Sequence, residues 1–270
     1  MEPQATAPQP TFLQSLGRVF STFLAFGRRT RRFKFYVALS QVPVLIALFV
    51  QINQVLQRSG ASALSIFSNV IMTFDLQFLV MLLVLFYGTS VCLEEVEGRT
   101  LSYLTTRPVP KPALILGKYA AYVLFLAVMI NVGIVLSFLV LNLRMAGDLS
   151  LYPALLRYCG VLTLAILAYT AFFTLLGTLS RRALILGLMF SFGWESVVQY
   201  FPGTTQRFTI VHYLKSLLPA QPIKGLTFLT YRLEPTSAAW SIATLILLTV
   251  AFLALACLAF SLKDYILAND

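Results

Sequence analysis

Of the chain's 270 residues, 59% are apolar and 11% are charged, with a mean hydropathy of +0.83. A soluble domain carries roughly 25% charged residues, so a water-soluble globular fold is excluded. Several runs reach about 20 apolar residues, the length that crosses a ~30 Å hydrocarbon core as helix, and the chain reads as an integral membrane protein. Lys and Arg number 20 against 10 Asp and Glu, but the excess lies at the ends of apolar runs. Membrane topology and anionic lipid account for it there, and no nucleic-acid partner is implied.

Residues 1–10 are rich in Pro, Gln and Ala and read as a disordered N-terminus rather than a signal peptide. Over 11–34, Phe12, Leu13, Leu16, Val19, Phe20, Phe23 and Leu24 recur at helical spacing before the basic run Arg28-Arg29-Thr30-Arg31-Arg32-Phe33-Lys34. The pattern predicts an amphipathic helix at the membrane interface, with its basic tail on lipid phosphates; a solvated basic linker is the alternative. The rest, 35–270, is expected to form one all-α domain with six transmembrane helices. They fall near 35–56, 70–93, 113–143, 152–178, 184–200 and 238–262. The third is longer than a bilayer needs, so it tilts or protrudes. No repeat relates the first three spans to the last three. Cys92, Cys159 and Cys257 all lie in apolar segments, where buried free thiols are expected.

Orientation follows from the basic residues near span ends. With the N-terminus inside, the inner segments hold Arg18, Arg28, Arg29, Arg31, Arg32, Lys34, Arg99, Arg107, Lys111, Lys118, Arg181, Arg182 and Lys263. The outer ones hold Arg58, Arg144, Arg157, Arg207, Lys215, Lys224 and Arg232. Thirteen against seven places both termini in the cytoplasm. The loop 94–111 and the turn Ser180-Arg181-Arg182 are then cytoplasmic, and 201–237 is one long outer segment.

The loop 94–111 is unusually featured for a short connection. It opens with Glu94, Glu95 and Glu97, bends at Gly98, carries Leu101 and Leu104 at helical spacing, and ends on Pro108, Pro110 and Pro112. A short helix with charge at one end and apolar knobs on one face suits a groove on another protein; a solvated loop is the plain alternative.

Here the sequence resembles a known family. Glu94-Glu95-Val96-Glu97-Gly98-Arg99-Thr100-Leu101, then Leu104, Arg107-Pro108-Val109 and Gly117-Lys118, resembles the cytoplasmic loop of type-2 ATP-binding-cassette permeases, the type V exporter fold. The match covers about 25 residues and falls after the second of six spans, where the family carries it. The resemblance implies a permease pairing with a second permease, here a homodimer, and with two cytoplasmic ATPase subunits. Glu94, Glu95, Glu97, Gly98, Thr100, Leu101, Leu104, Arg107 and Pro108 would then form the coupling helix seated in an ATPase cleft. ATP and Mg would be bound by that partner, and the chain is expected to hold no cofactor and to be no enzyme by itself. Gly117-Lys118 is not a phosphate loop, because positions 112 and 119 are Pro and Tyr. The implied setting is a prokaryotic cytoplasmic (inner) membrane, with lipid and an extracytoplasmic protein as further partners.

Two acids fall inside expected spans. Asp75 lies near the outer end of the second, and Glu195 lies about 18 Å past Arg182 in the fifth. Intramembrane carboxylates face a cavity or a partner, so both are candidates for bordering a translocation path. A hydrogen bond within the subunit is the alternative for Glu195. Trp194 and Tyr200 read as packing or interface aromatics. The outer segment predicts one or two short helices around Ile210, Val211, Tyr213, Leu214, Leu217 and Leu218, ended by Pro219. His212, the only histidine, reads as a surface residue. A channel or secondary transporter would want more intramembrane charge, an intramembrane enzyme would want a converging nucleophile and base or a metal set, and a scaffold would leave the acidic loop unexplained.

Overall fold

In hydrocarbon every backbone N–H and C=O must find its partner within the segment, which leaves helix as the solution for long apolar runs. The computed structural model describes residues 11–27, 31–57, 66–97, 110–143, 151–198, 204–218 and 236–262. Among them every regular element is helical. The longer α-helices in chain order are α1 (Phe12–Gly27), α2 (Arg31–Ser40), α3 (Val42–Gln57), α4 (Val80–Glu97), α5 (Lys111–Leu141), α6 (Tyr152–Leu179), α7 (Ala183–Met189), α8 (Ile210–Leu217) and α9 (Ala238–Leu262). Five stretches are long and apolar enough to cross a membrane: Phe33–Asn53, Met72–Val91, Lys111–Leu141, Tyr152–Leu179 and Ala238–Leu262. They match the first four expected spans and the last.

The expected fifth span differs. Apolar helix there runs only from Ala183 to Val198, and its second half, Phe190–Glu195, winds as π-helix. At 1.5 Å per residue it covers about 24 Å, short of a ~30 Å core. The first span also departs from the uninterrupted helix expected, because it breaks between α2 and α3. Pro43 has no N–H to give the preceding turn, and Gln41 N bonds the Ala38 carbonyl at 3.2 Å instead. The break rests on α5: a Cβ built on Gly133 would stand 2.6 Å from the Ser40 carbonyl oxygen. Only glycine admits that approach.

The central packing is α4 and α9 against α6, and α1 and α3 against α5. Between membrane helices the attraction is close packing rather than expulsion of water, so small residues mark the seams. Gly88 and Thr89 of α4 meet Thr170, Phe173 and Gly177 of α6 in this way. A Cβ on Gly177 would lie 2.8 Å from the Thr89 carbonyl oxygen, and one on Gly88 would lie 2.7 Å from Phe173 Cβ. The hydroxyls of Thr174 and Thr89 return to their own helix, to the Thr170 and Leu85 carbonyls, both at 2.7 Å, while the buried Thr170 hydroxyl finds no partner among the described residues. At one end of the bundle Phe67 stacks edge-on to Phe138 and Tyr158, each at 5.1 Å.

Candidate functional site

α4 continues past its apolar run to Glu97, so the chain leaves the second span still helical and carries the acidic cluster on its last turns. It re-enters through Pro110, the N-cap of α5, and Pro112 in the first turn, positions where a missing N–H costs nothing. Glu94, Glu95 and Glu97 therefore stand on a helical backbone. Their side chains, and Gly98, Thr100, Leu101, Leu104, Arg107 and Pro108, lie outside the described residues.

The foot of this loop is described. Lys118, on α5, is buried, and its Nζ donates to the Val91 carbonyl of α4 at 3.0 Å. The same ammonium lies 4.7 Å from the Phe23 ring centroid of α1 and 6.0 Å from that of Tyr122. One residue earlier, Gly117 lets α1 approach so closely that a Cβ would stand 2.7 Å from Val19 Cγ1. A buried ammonium is tolerated where a carbonyl and ring faces replace water. Gly117 and Lys118 thus join α1, α4 and α5 beneath the loop. The sequence signal was a lysine inside an apolar run next to glycine, which the motif reading took only as part of a family pattern.

The two intramembrane acids sit in π-helical turns, Asp75 in Asp75–Leu79 and Glu195 in Phe190–Glu195. Rings of those turns touch, Phe78 to Phe192, with centroids 6.0 Å apart. Asp75 does not reach out to an interface as its position allowed: its side chain is fully buried, and neither carboxylate oxygen has a hydrogen-bond partner among the described residues. Glu195 is buried and fully engaged. Oε1 accepts Ile210 N at 2.9 Å, and Oε2 accepts Val211 N at 3.2 Å and Tyr169 Oη at 3.3 Å. Trp194 beside it is 47% exposed, as an outward-facing aromatic should be, whereas Tyr200 lies outside the described residues.

Within the segment expected outside, the described residues form a short 3-10 turn, Thr204–Phe208, and then α8, as expected for a short amphipathic pattern. His212 is not a surface residue. It is 2% exposed, and its Nε2 faces Thr236 Oγ1 at 3.3 Å. α8 packs between α6 and α9, so the face carrying His212 meets the polar entry to α9 instead of water. Burial pulls the Lys215 ammonium down to about 8, against the field of Glu195, which raises it. Cys159 and Cys257 are free thiols, the side chain of Cys92 lies outside the described residues, and no metal-binding cluster occurs among the described residues.

The profile of the ABC-2 family transporter proteins matches residues 28–195. The chain belongs to that family. The match spans the first four membrane-length stretches, the loop 94–111 and both acids, so the local resemblance of the loop sits inside a match over more than half of the chain. This is a multi-pass membrane permease component of an ABC transporter, a family whose members work with an ABC ATPase subunit. No curated protein matches it.

Proposed function

We propose that the chain is the permease subunit of an ATP-driven exporter, working as a homodimer with two separate ATPase subunits that bind ATP and Mg. The observation that carries this is the ABC-2 match over 28–195, which brackets the acidic loop between the second and third spans. In this reading α1 lies at the inner face of a prokaryotic cytoplasmic membrane, 183–198 crosses as the fifth of six spans, and both termini are cytoplasmic. The loop 94–111 is the coupling helix, with Glu94, Glu95, Glu97, Gly98, Thr100, Leu101, Leu104, Arg107 and Pro108 at the ATPase cleft. ATP binding closes the ATPase pair and pushes on this loop. The push reaches α4 and α5 through the Lys118 junction and biases a two-state bundle toward outward opening.

Asp75 and Glu195 border the path. A buried, unpartnered carboxylate in a π-helical turn is what a substrate or water would complete, and that supports Asp75. The path is mainly apolar and suits lipids, amphipathic drugs or peptides, with an extracytoplasmic protein as a further partner.

The test is capture of the ATPase by affinity purification in mild detergent. Glu97→Lys and Leu104→Asp remove the charge and the apolar knob that a cleft would recognise, and each is expected to insert normally while losing the ATPase. Unchanged ATPase yield from both variants would refute the coupling role. A wild-type chain that brings down no ATPase would favour a channel, a secondary transporter or a scaffold.

A further inference from the structure

The first amides of any helix have no acceptor within it, and a side chain just ahead ordinarily takes one. In α8 that place belongs to Thr209, but its hydroxyl bonds the Gln206 carbonyl at 2.7 Å and leaves the helix uncapped. The amides of Ile210 and Val211 go instead to Glu195, on a different helix. At the other end of α8 the Leu217 carbonyl accepts Arg157 Nε of α6 at 2.6 Å. Acid at the N-terminus and cation at the C-terminus both match the helix dipole. Between them, Thr236 at the entry to α9 faces His212 and Ser216, with Oγ1 to Ser216 Oγ at 3.2 Å.

A local cap would have stabilised α8 wherever its neighbours stood. Capping from a distance makes the helix conditional on those neighbours, because Glu195 reaches both amides only while 183–198 keeps its present position. A carboxylate buried this deeply is costly unless its hydrogen bonds are made, so the contact resists partial slippage. We propose that Glu195 and Arg157 are positioning residues that force α8 to move with helix 183–198 and with α6, making α8 the moving outer piece when the permease opens. This rests on the permease reading, and it assigns Glu195 a fastening role beyond bordering a path.

The experiment is hydrogen exchange followed by mass spectrometry on the full-length chain in nanodiscs, with its co-purified ATPase, without nucleotide and then trapped with ATP and vanadate. Without nucleotide, Glu195→Ala should speed exchange at Ile210 and Val211 roughly tenfold or more, the scale of a lost charge-assisted bond, with Glu195→Gln in between. Arg157→Gln should speed exchange in the last turn only. Trapping should change the exchange of α8 in the wild type, and Glu195→Gln, which keeps an acceptor oxygen and should fold, should abolish that change.

Wild-type exchange at Ile210 and Val211 in Glu195→Ala would overturn the cap. Exchange of α8 that ignores trapping, or follows it equally in wild type and Glu195→Gln, would overturn the positioning role and leave a structural contact. A wild-type preparation without ATPase would sink the permease reading and this proposal with it. The two failures stay distinct, because the nucleotide-free comparison reads the cap on its own.

Discussion

Lys118 sits about two turns into α5, where a charge has to be solvated by protein. Its ammonium meets a carbonyl of α4 and a ring of α1, so it fastens the N-terminal helix to two spans at the foot of the loop. Lys118→Met keeps the length of the side chain and removes both contacts. We expect faster hydrogen exchange along Phe12–Gly27, corresponding to a loss of about 1–3 kcal/mol of local stability. If α1 exchanges as in the wild type, the close approach at Gly117 and the packing of Val19, Phe23 and Leu24 on α5 hold it without the lysine. Such residues show where sequence stops being informative. The apolar runs, the acidic loop and the burial of Glu195 follow from residue type and spacing. The bonds from Glu195 to Ile210 and Val211 join helices separated by an outer turn, and no periodicity encodes which amides a carboxylate will meet. His212 was misplaced for the same reason. Its own helix is short, and only the packing against α6 and α9 decides that it is buried.

Among the elements, the α4–α6 seam is one of the tight backbone fits. A Cβ on Gly177 presses on the Thr89 backbone, which cannot swing aside as a side chain would. Gly177→Val should force the helices apart at a cost of about 1–3 kcal/mol, visible as a lower melting temperature in detergent. Gly160 of α6 has nothing within 4 Å of the same added atom, so Gly160→Ala should leave stability unchanged or raise it by about 1 kcal/mol through helix propensity. Equal losses from both would mean that helix backbone rather than contact governs the seam. α8 has its own signature. Lys215 titrates near 8 instead of 10.5 because burial disfavours its charge more than Glu195 favours it. The unfolded chain therefore binds more protons between about 8 and 10.5, and folded stability rises with pH across that window. Thermal melting from pH 7.5 to 10.5 should show that rise in the wild type, and Lys215→Met should flatten it and melt higher at pH 7.5. A variant with the wild-type slope would assign the rise to other groups.

At the scale of the whole molecule the open question is parity. Five long apolar stretches alone would put the two termini on opposite sides of the membrane, whereas 13 inner against 7 outer basic residues counted over six spans put them on the same side. The difference is helix 183–198, which is short, carries π-helical turns and turns most of its apolar side chains outward. A helix about 24 Å long crosses only if the bilayer thins or its flanks reach to the interface, and one flank is already suited to that. Arg181 and Arg182 are exposed in the turn before it, at the end where positive charge marks the cytoplasmic face. Thr205 is exposed just beyond its other end. In a background with Cys92, Cys159 and Cys257 replaced, Arg181→Cys should react with an impermeant thiol reagent only after the membrane is opened, and Thr205→Cys should react from outside intact cells. Both residues reacting from the same side would make 183–198 re-entrant. The last span would then run the other way, the C-terminus would leave the cytoplasm, and the charge count would have to be explained by lipid contact alone. Reaction from opposite sides but in the reverse sense would turn the whole bundle over and carry the loop 94–111 away from any cytoplasmic ATPase.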